Sequence, residues 1–221
     1  VPDLYIDIVP PSTLTLNGVP TNIIGMVGTA TWGPVGIPVT VSDMKSYLLA
    51  FGTPVARQYD MGTQIATAAL QGANNFRCVR VTDGTDLAAQ VKDADTGTSI
   101  TFTAAYSGSL GNNLSVQVLN GSKASTWKAV VSVPGGLPEV FDNIPGTAGT
   151  FWDNLTAAIN TGAGVSRGRS TMVIATRGAG TATVAVATYS LTGGTDGADS
   201  VAAPALVGVD TALRTGMYAL R

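Results

Sequence analysis

The run Ile23-Ile24-Gly25-Met26-Val27-Gly28-Thr29-Ala30 constrains the fold of this chain more than any other stretch. It is nearly continuous in apolar character, carries no charge and contains two glycines. Such a run suits a strand buried on both faces, with another element close to the backbone where side chains are missing. Its neighbours follow at once. Trp32-Gly33-Pro34-Val35-Gly36 reads as a turn and Pro38-Val39-Thr40-Val41 as a short strand. Ser42 is placed to cap a helix whose apolar positions Met44, Tyr47, Leu48 and Phe51 fall at helical spacing, closed by Gly52, with Pro54 preventing continuation. A second helix covers about 60–72, with Met61, Ile65, Ala68, Ala69 and Gly72 on one face. Phe76 to Thr82 returns as a strand, and the order β-α-α-β is that of an α/β half-domain.

At Asp83-Gly84-Thr85-Asp86 the character changes to a Thr- and Gly-rich sequence with short alternating segments. Strands are expected over 99–105, 114–119, 126–133, 171–176 and 181–189, with Asn120-Gly121 turning between the second and third. One helix is expected over 151–160, capped by Thr150, with Trp152, Leu155 and Ile159 inward and Gly162 stopping it. After Pro204, residues 205–209 read as a strand returning to the core and 211–221 as the start of a helix. A single Glu and four Lys beside 29 Thr leave few residues that cover exposed helices, so strand should exceed helix. The expected class is α+β and β-rich. An α/β core half-domain spans 21–86 plus 201–221, and a Thr/Gly-rich, mainly-β domain is inserted over 87–200.

Residues 1–20 form an arm and linker: Leu4-Tyr5-Ile6-Asp7-Ile8-Val9 has strand propensity, and Pro10-Pro11 separates it from the rest of the chain. It is either an edge strand of the same chain or an arm that pairs with the open sheet edge of a neighbouring subunit. In the second case Leu4, Tyr5, Ile6 and Ile8 carry the contact.

Several function classes fall away. With no His, the chain cannot supply a Ser-His-Asp or Cys-His site, an HExxH zinc site or any imidazole ligand. A net charge of −2, with the eight Arg and four Lys scattered, gives no basic stripe for nucleic acid. No apolar run reaches the length of a membrane span, and the start lacks a signal-peptide pattern, so the chain reads as soluble and unsecreted. Lone Cys78 reads as a small buried hydrophobe. Gly164-Val165-Ser166-Arg167-Gly168 matches a hydrolase elbow, yet a helix precedes it and no His base exists. The Asp-rich segments 93–97 and 193–199 space carboxylates as calcium loops do, but neither has a following bidentate Glu, and turn chemistry is the simpler account. Three Asn-x-Ser/Thr sequons, at Asn113, Asn120 and Asn154, matter only in a secreted eukaryotic protein. The 13 Asp beside one Glu, with few aromatics, single out no glycosidase pair. No catalytic, cofactor-binding or metal-binding residue is assigned, and no enzyme is expected. Charged residues are only 12% of the chain, about half the usual share. Either neighbours cover part of the surface, or threonine replaces charge on it.

The order of these pieces resembles the N-terminal part of contractile phage tail sheath proteins. The resemblance rests on Pro2 to Ile6, the run Thr21 to Pro38, Phe51-Gly52, Val79-Arg80-Val81, Gly108-Ser109-Leu110-Gly111-Asn112 and Leu191-Thr192-Gly193-Gly194-Thr195-Asp196-Gly197. Its strongest piece is Val27-Gly28-Thr29-Ala30 followed by Gly33-Pro34-Val35; Pro2-Asp3 stands where the family usually opens its arm on proline-glycine. Structural roles are implied for Gly25, Gly28, Gly33, Pro34, Gly52, Arg80, Gly111, Asn112, Gly193, Gly194, Asp196 and Gly197. The resemblance also implies that the core half-domain is completed by a C-terminal half beyond Arg221. Such subunits form stacked hexameric rings around a tail tube, are joined by exchanged arm strands, and contract to drive the tube through the host envelope. The implied partners are the chain itself, the tail tube protein, and baseplate and tail terminator proteins, without nucleic acid or membrane insertion. The implied place is the virion tail, assembled in the bacterial host cytoplasm. The insertion would face outward and the α/β part the tube, with the sparse charge away from the α/β part. The competing class is a β-rich surface or receptor-binding module of a phage or phage-like particle.

Overall fold

The computed structural model describes residues 23–92, 98–163 and 167–221. The arm positions Leu4, Tyr5, Ile6 and Ile8 lie outside the described residues, as do 93–97 and 164–166.

The α/β part comprises β1 (Ile24–Gly28), β2 (Pro38–Val41), α1 (Met44–Phe51), α2 (Met61–Leu70) and β3 (Phe76–Arg80). The sheet order is β1-β3-β2, with β3 parallel to β1 and antiparallel to β2. The strand buried on both faces is therefore β3, whose Phe76, Cys78, Val79 and Arg80 are all inaccessible to solvent. The expectation that Ile23 to Ala30 fills this role is corrected: β1 is an edge strand among the described residues, and Ile23 and Gly25 are exposed. Full burial begins only at Gly28, where the backbone approaches Tyr59 and Met61 at the start of α2.

Alternation along β3 divides its two faces. Phe76 and Cys78 join Tyr47, Phe51, Met61 and Ile65 of α1 and α2. Val79 joins Val81, Val201 and Ala219 on the opposite face. Burial raises the Cys78 thiol to about 12, so it is an inert core residue. The cap of α1 is Asp43 and not Ser42. Asp43 accepts the Ser46 amide at 2.8 Å while Ser46 Oγ accepts the Asp43 amide at 3.0 Å, a reciprocal pair that Ser42 lies one residue too early to make. Asp60 caps α2 by accepting the Thr63 amide at 2.7 Å.

The β-rich part contains β4 (Gln90–Lys92), β5 (Ile100–Ala104), β6 (Ser115–Asn120), β7 (Thr126–Ser132), β8 (Glu139–Pro145), α3 (Ala148–Thr161), β9 (Val173–Arg177) and β10 (Ala187–Ser190). They form two antiparallel sheets, ordered β10-β6-β7-β8 and β4-β5-β9. Helix α3 packs on β8 and β9 and closes a core that includes Phe102, Val118, Phe141, Trp152 and Leu155. Trp152, Leu155 and Ile159 are buried, as their spacing requires. The helix begins three residues before the expected start, with Thr147 at its N-cap in place of Thr150. Of 181–189, only the last residues pair, as β10. Residues 205–209 are not a strand. Ala203–Val207 forms the short helix α4, with Pro204 in its first turn where no donor is lost. Gly216–Leu220 then makes a 3₁₀ turn against β1 and β3.

Candidate functional site: a buried arginine joint

Two segments connect the parts, 83–90 outward and 192–200 back, and they run side by side. Leu87 and Thr195 exchange backbone hydrogen bonds of 3.2 and 3.0 Å, and Gln90 and Thr192 exchange bonds of 2.8 and 3.1 Å. Asp83 N donates to Gly197 O at 2.8 Å.

Arg80, the last residue of β3, points into this junction, and its side chain is fully buried. Nη1 donates to Gly33 O at 2.8 Å and to Ser107 O at 2.7 Å, and Nη2 donates to Asp196 O at 3.2 Å. One guanidinium thus holds the turn after β1, the loop after β5 and the returning segment. Burial pulls the Arg80 pKa down against the raising effect of the Asp86 and Asp196 charges. Asp196 accepts Ser109 N at 2.6 Å on Oδ1 and Arg57 Nη1 at 2.6 Å on Oδ2. Burial alone would raise its carboxyl; the Ser109 amide and the Arg57 charge hold it below the ordinary range. Asn112 completes the tie: its Nδ2 donates to Gly194 O at 2.9 Å and its Oδ1 accepts Gly194 N at 2.7 Å, as a strand neighbour would.

Gly33, Arg80, Asn112, Gly194, Asp196 and Gly197, spread over 165 positions of the sequence, meet here. Gly33 has φ +95°, and a Cβ would lie 2.5 Å from Ala50 O, so only glycine presents its carbonyl to Arg80 in this way. Gly197 has φ +61° and lies against Asp86. Gly111 packs on Ala89, Ala104 and Trp32, and Gly52, at the end of α1, packs on Thr31. Trp32 belongs to the α/β sequence but is buried in the β-rich core, T-shaped to Tyr106 at 5.3 Å. Gly25 and Gly28 lie away from the joint, against Leu220 and the start of α2. Gly193 has open space around it, and Pro34 lies on the wall of an apolar groove of about 750 Å³ between α1 and the β7–β8 connection.

Sequence reasoning missed Arg57, Asp60 and Ser107 as parts of this joint. Asp60 carried a signal as the polar residue before an apolar helical run. Ser107 contributes a backbone carbonyl, and Arg57 stands in a loop, so neither had one. The expectation that charge avoids the α/β part is also corrected: Arg57 and Arg80 lie in it and are drawn into the joint, where Asp196 and backbone carbonyls compensate them, with Asp60 beside Arg57.

Glu139, the only glutamate, makes a second buried tie at the edge of β8. It accepts Ser170 Oγ at 2.5 Å, Thr171 N at 3.0 Å and Thr171 Oγ1 at 2.8 Å, and pairs with Arg167 Nη2 at 2.9 Å. Burial opposes its ionisation, and these donors more than offset that, lowering its pKa. Asp196 and Glu139 therefore contribute stability above the unfolded carboxylate value of about 4, which is lost as pH falls through their lower folded values. The urea midpoint should be level from about pH 7 to 5 and fall below about pH 4, with Asp196→Asn flattening that acid limb. An unchanged wild-type midpoint at about pH 3 would contradict the linkage.

Among the described residues, no group of three or more metal-ligating side chains comes together, and no helix is long and apolar enough to cross a membrane. No protein-family model and no curated protein matches the sequence. Solved structures do match, two sheath tail proteins among them. A sheath tail protein of Listeria innocua aligns over 79% of this chain with a TM-score of 0.55 and 18% identity. A sheath tail protein of Desulfitobacterium hafniense aligns over 89% with a TM-score of 0.52 and 18% identity. The matched region is 34% and 40% of those chains, so this chain spans well under half the length of either. The chain has the fold of part of a sheath tail protein.

Proposed function

We propose that the chain is part of a structural subunit of a contractile tail sheath, which surrounds the tail tube and contracts to drive it through the host cell envelope. The observation that carries this reading is the meeting at Arg80 of motif pieces far apart in sequence, within a fold shared with two sheath tail proteins. Residues 21–86 plus 201–221 act as half of the core domain, and 87–200 as an inserted domain on the outer surface. Residues 1–20 act as an arm that adds a strand to a neighbouring subunit. The partners are further copies in stacked hexameric rings, the tube protein, and baseplate and terminator proteins, in a virion tail assembled in the host cytoplasm. The role is mechanical and not catalytic. A tied joint serves it, because force on one part reaches the other only if the two move together.

Expression of the complete gene product should give hollow tubes in negative stain, with deletion of residues 1–11 reducing them to rings or monomers. Persistent monomers that bind on a glycan array would overturn this reading in favour of a receptor-binding module.

A further inference from the structure

Arg57 stands between two carboxylates from different parts of the chain. Its Nη1 is 2.6 Å from Asp196 Oδ2 on the returning segment. Its Nε is 3.7 Å from Asp60 Oδ1 at the start of α2, too far for a hydrogen bond. The Asp60 side chain is 1% exposed and commits Oδ2 to the Thr63 amide and hydroxyl, each at 2.7 Å. Its Oδ1 is buried and accepts no hydrogen bond, while Nε and Nη2 of Arg57 are buried and donate none. An unsatisfied acceptor and an unsatisfied donor therefore sit less than about 1 Å beyond bonding range, an expensive arrangement that a small movement would relieve.

We propose that Arg57 is a two-position latch: Asp196 holds it while the α/β and β-rich parts are docked, and Asp60 takes it when they separate. Asp60 belongs to the α/β part, as Arg57 does, so this second position survives undocking. The planar guanidinium can offer Nε and Nη2 together to Oδ1 once Nη1 is released. Thr53, Pro54, Val55 and Ala56, which lead to Arg57, are exposed residues, so the segment that carries the side chain is not enclosed in a core. Arg80 differs, because two of its three acceptors, Ser107 O and Asp196 O, lie across the joint. The latch lowers the barrier to undocking, since the Arg57 cation is passed between carboxylates and is not stranded.

The test is a double-mutant cycle on the whole chain, using Arg57→Gln, Asp60→Asn and their combination, with unfolding in urea. It is run with Asp196 present and again with Asp196→Asn, which keeps an acceptor for Ser109 N. The Arg57–Asp60 coupling should be under about threefold in the unfolding constant with Asp196 and about tenfold without it. Equal coupling in both backgrounds overturns the proposal. Because Asp60 also caps α2, a second reading uses no Asp60 variant: in Asp196→Asn the Arg57 Nε–H resonance should gain protection from exchange. An unchanged Arg57 resonance likewise overturns it.

Discussion

Replacing Arg80 by Lys should destabilise the chain nearly as much as replacing it by Met, by about 3–5 kcal/mol in either case. The charge is the smaller part of the reason. Arg80 reaches three carbonyls through two nitrogens on opposite arms of one plane, and those carbonyls belong to three separate segments. An ammonium is a single point on a shorter stem and cannot occupy both nitrogen positions. It would leave at least one carbonyl without a donor and would itself be buried with its bonds incomplete. Methionine removes the charge but strands all three carbonyls. Urea unfolding measures both variants, and a Lys variant within about 1 kcal/mol of wild type would show that charge alone suffices. Either variant should also lower the cooperativity between the two parts, read as a broadened or divided transition.

How much of this was legible in the sequence depends on the range of the interactions. The helices α1, α2 and α3 were visible because their apolar spacing and stop signals are local, as Phe51 before Gly52 and Ile159 before Gly162 illustrate. The cap of α1 is ambiguous in the sequence because Ser42 and Asp43 have similar intrinsic preferences, and only the Asp43 carboxylate reaches the Ser46 amide to decide between them. Strand β8 gives no strand signal in the sequence because Asp142, Asn143 and Pro145 interrupt its alternation; pairing with β7 and burial of Phe141 and Ile144 override their weak propensity. The helical form of Ala203–Val207 is not legible, since an apolar run of five residues has no period to separate helix from strand. The joint was legible only as scattered glycines with Arg80, Asn112 and Asp196, and only through resemblance to other chains. A hydrogen bond between residues 80 and 196 leaves no local pattern.

Trp152→Ala should cost about 3–5 kcal/mol, the usual range for emptying a large aromatic site. Trp152 is 2% exposed, meets Phe151 edge-on at 4.9 Å, and donates Nε1–H to Ala182 O at 2.9 Å. Alanine leaves a cavity under α3 and a carbonyl without its donor. Trp152→Phe separates the two losses: it keeps most of the ring volume, so its cost should fall to about 1–2 kcal/mol, chiefly that of the hydrogen bond. The fate of the rest of the molecule tests the joint itself. Trp152 lies in the β-rich core, whereas Tyr47, Phe51 and Phe76 form a separate cluster under α1 and α2. With Arg80 intact and Trp32 inserted across the boundary, Trp152→Ala should lower one common transition followed by either tryptophan fluorescence or far-ultraviolet circular dichroism. In an Arg80→Met background the same substitution should lower only the transition of the β-rich part, leaving that of α1, α2 and β3 in place. If it lowers both equally, Arg80 is not what makes the two cores unfold together, and coupling passes instead through Trp32 and the paired segments 83–90 and 192–200.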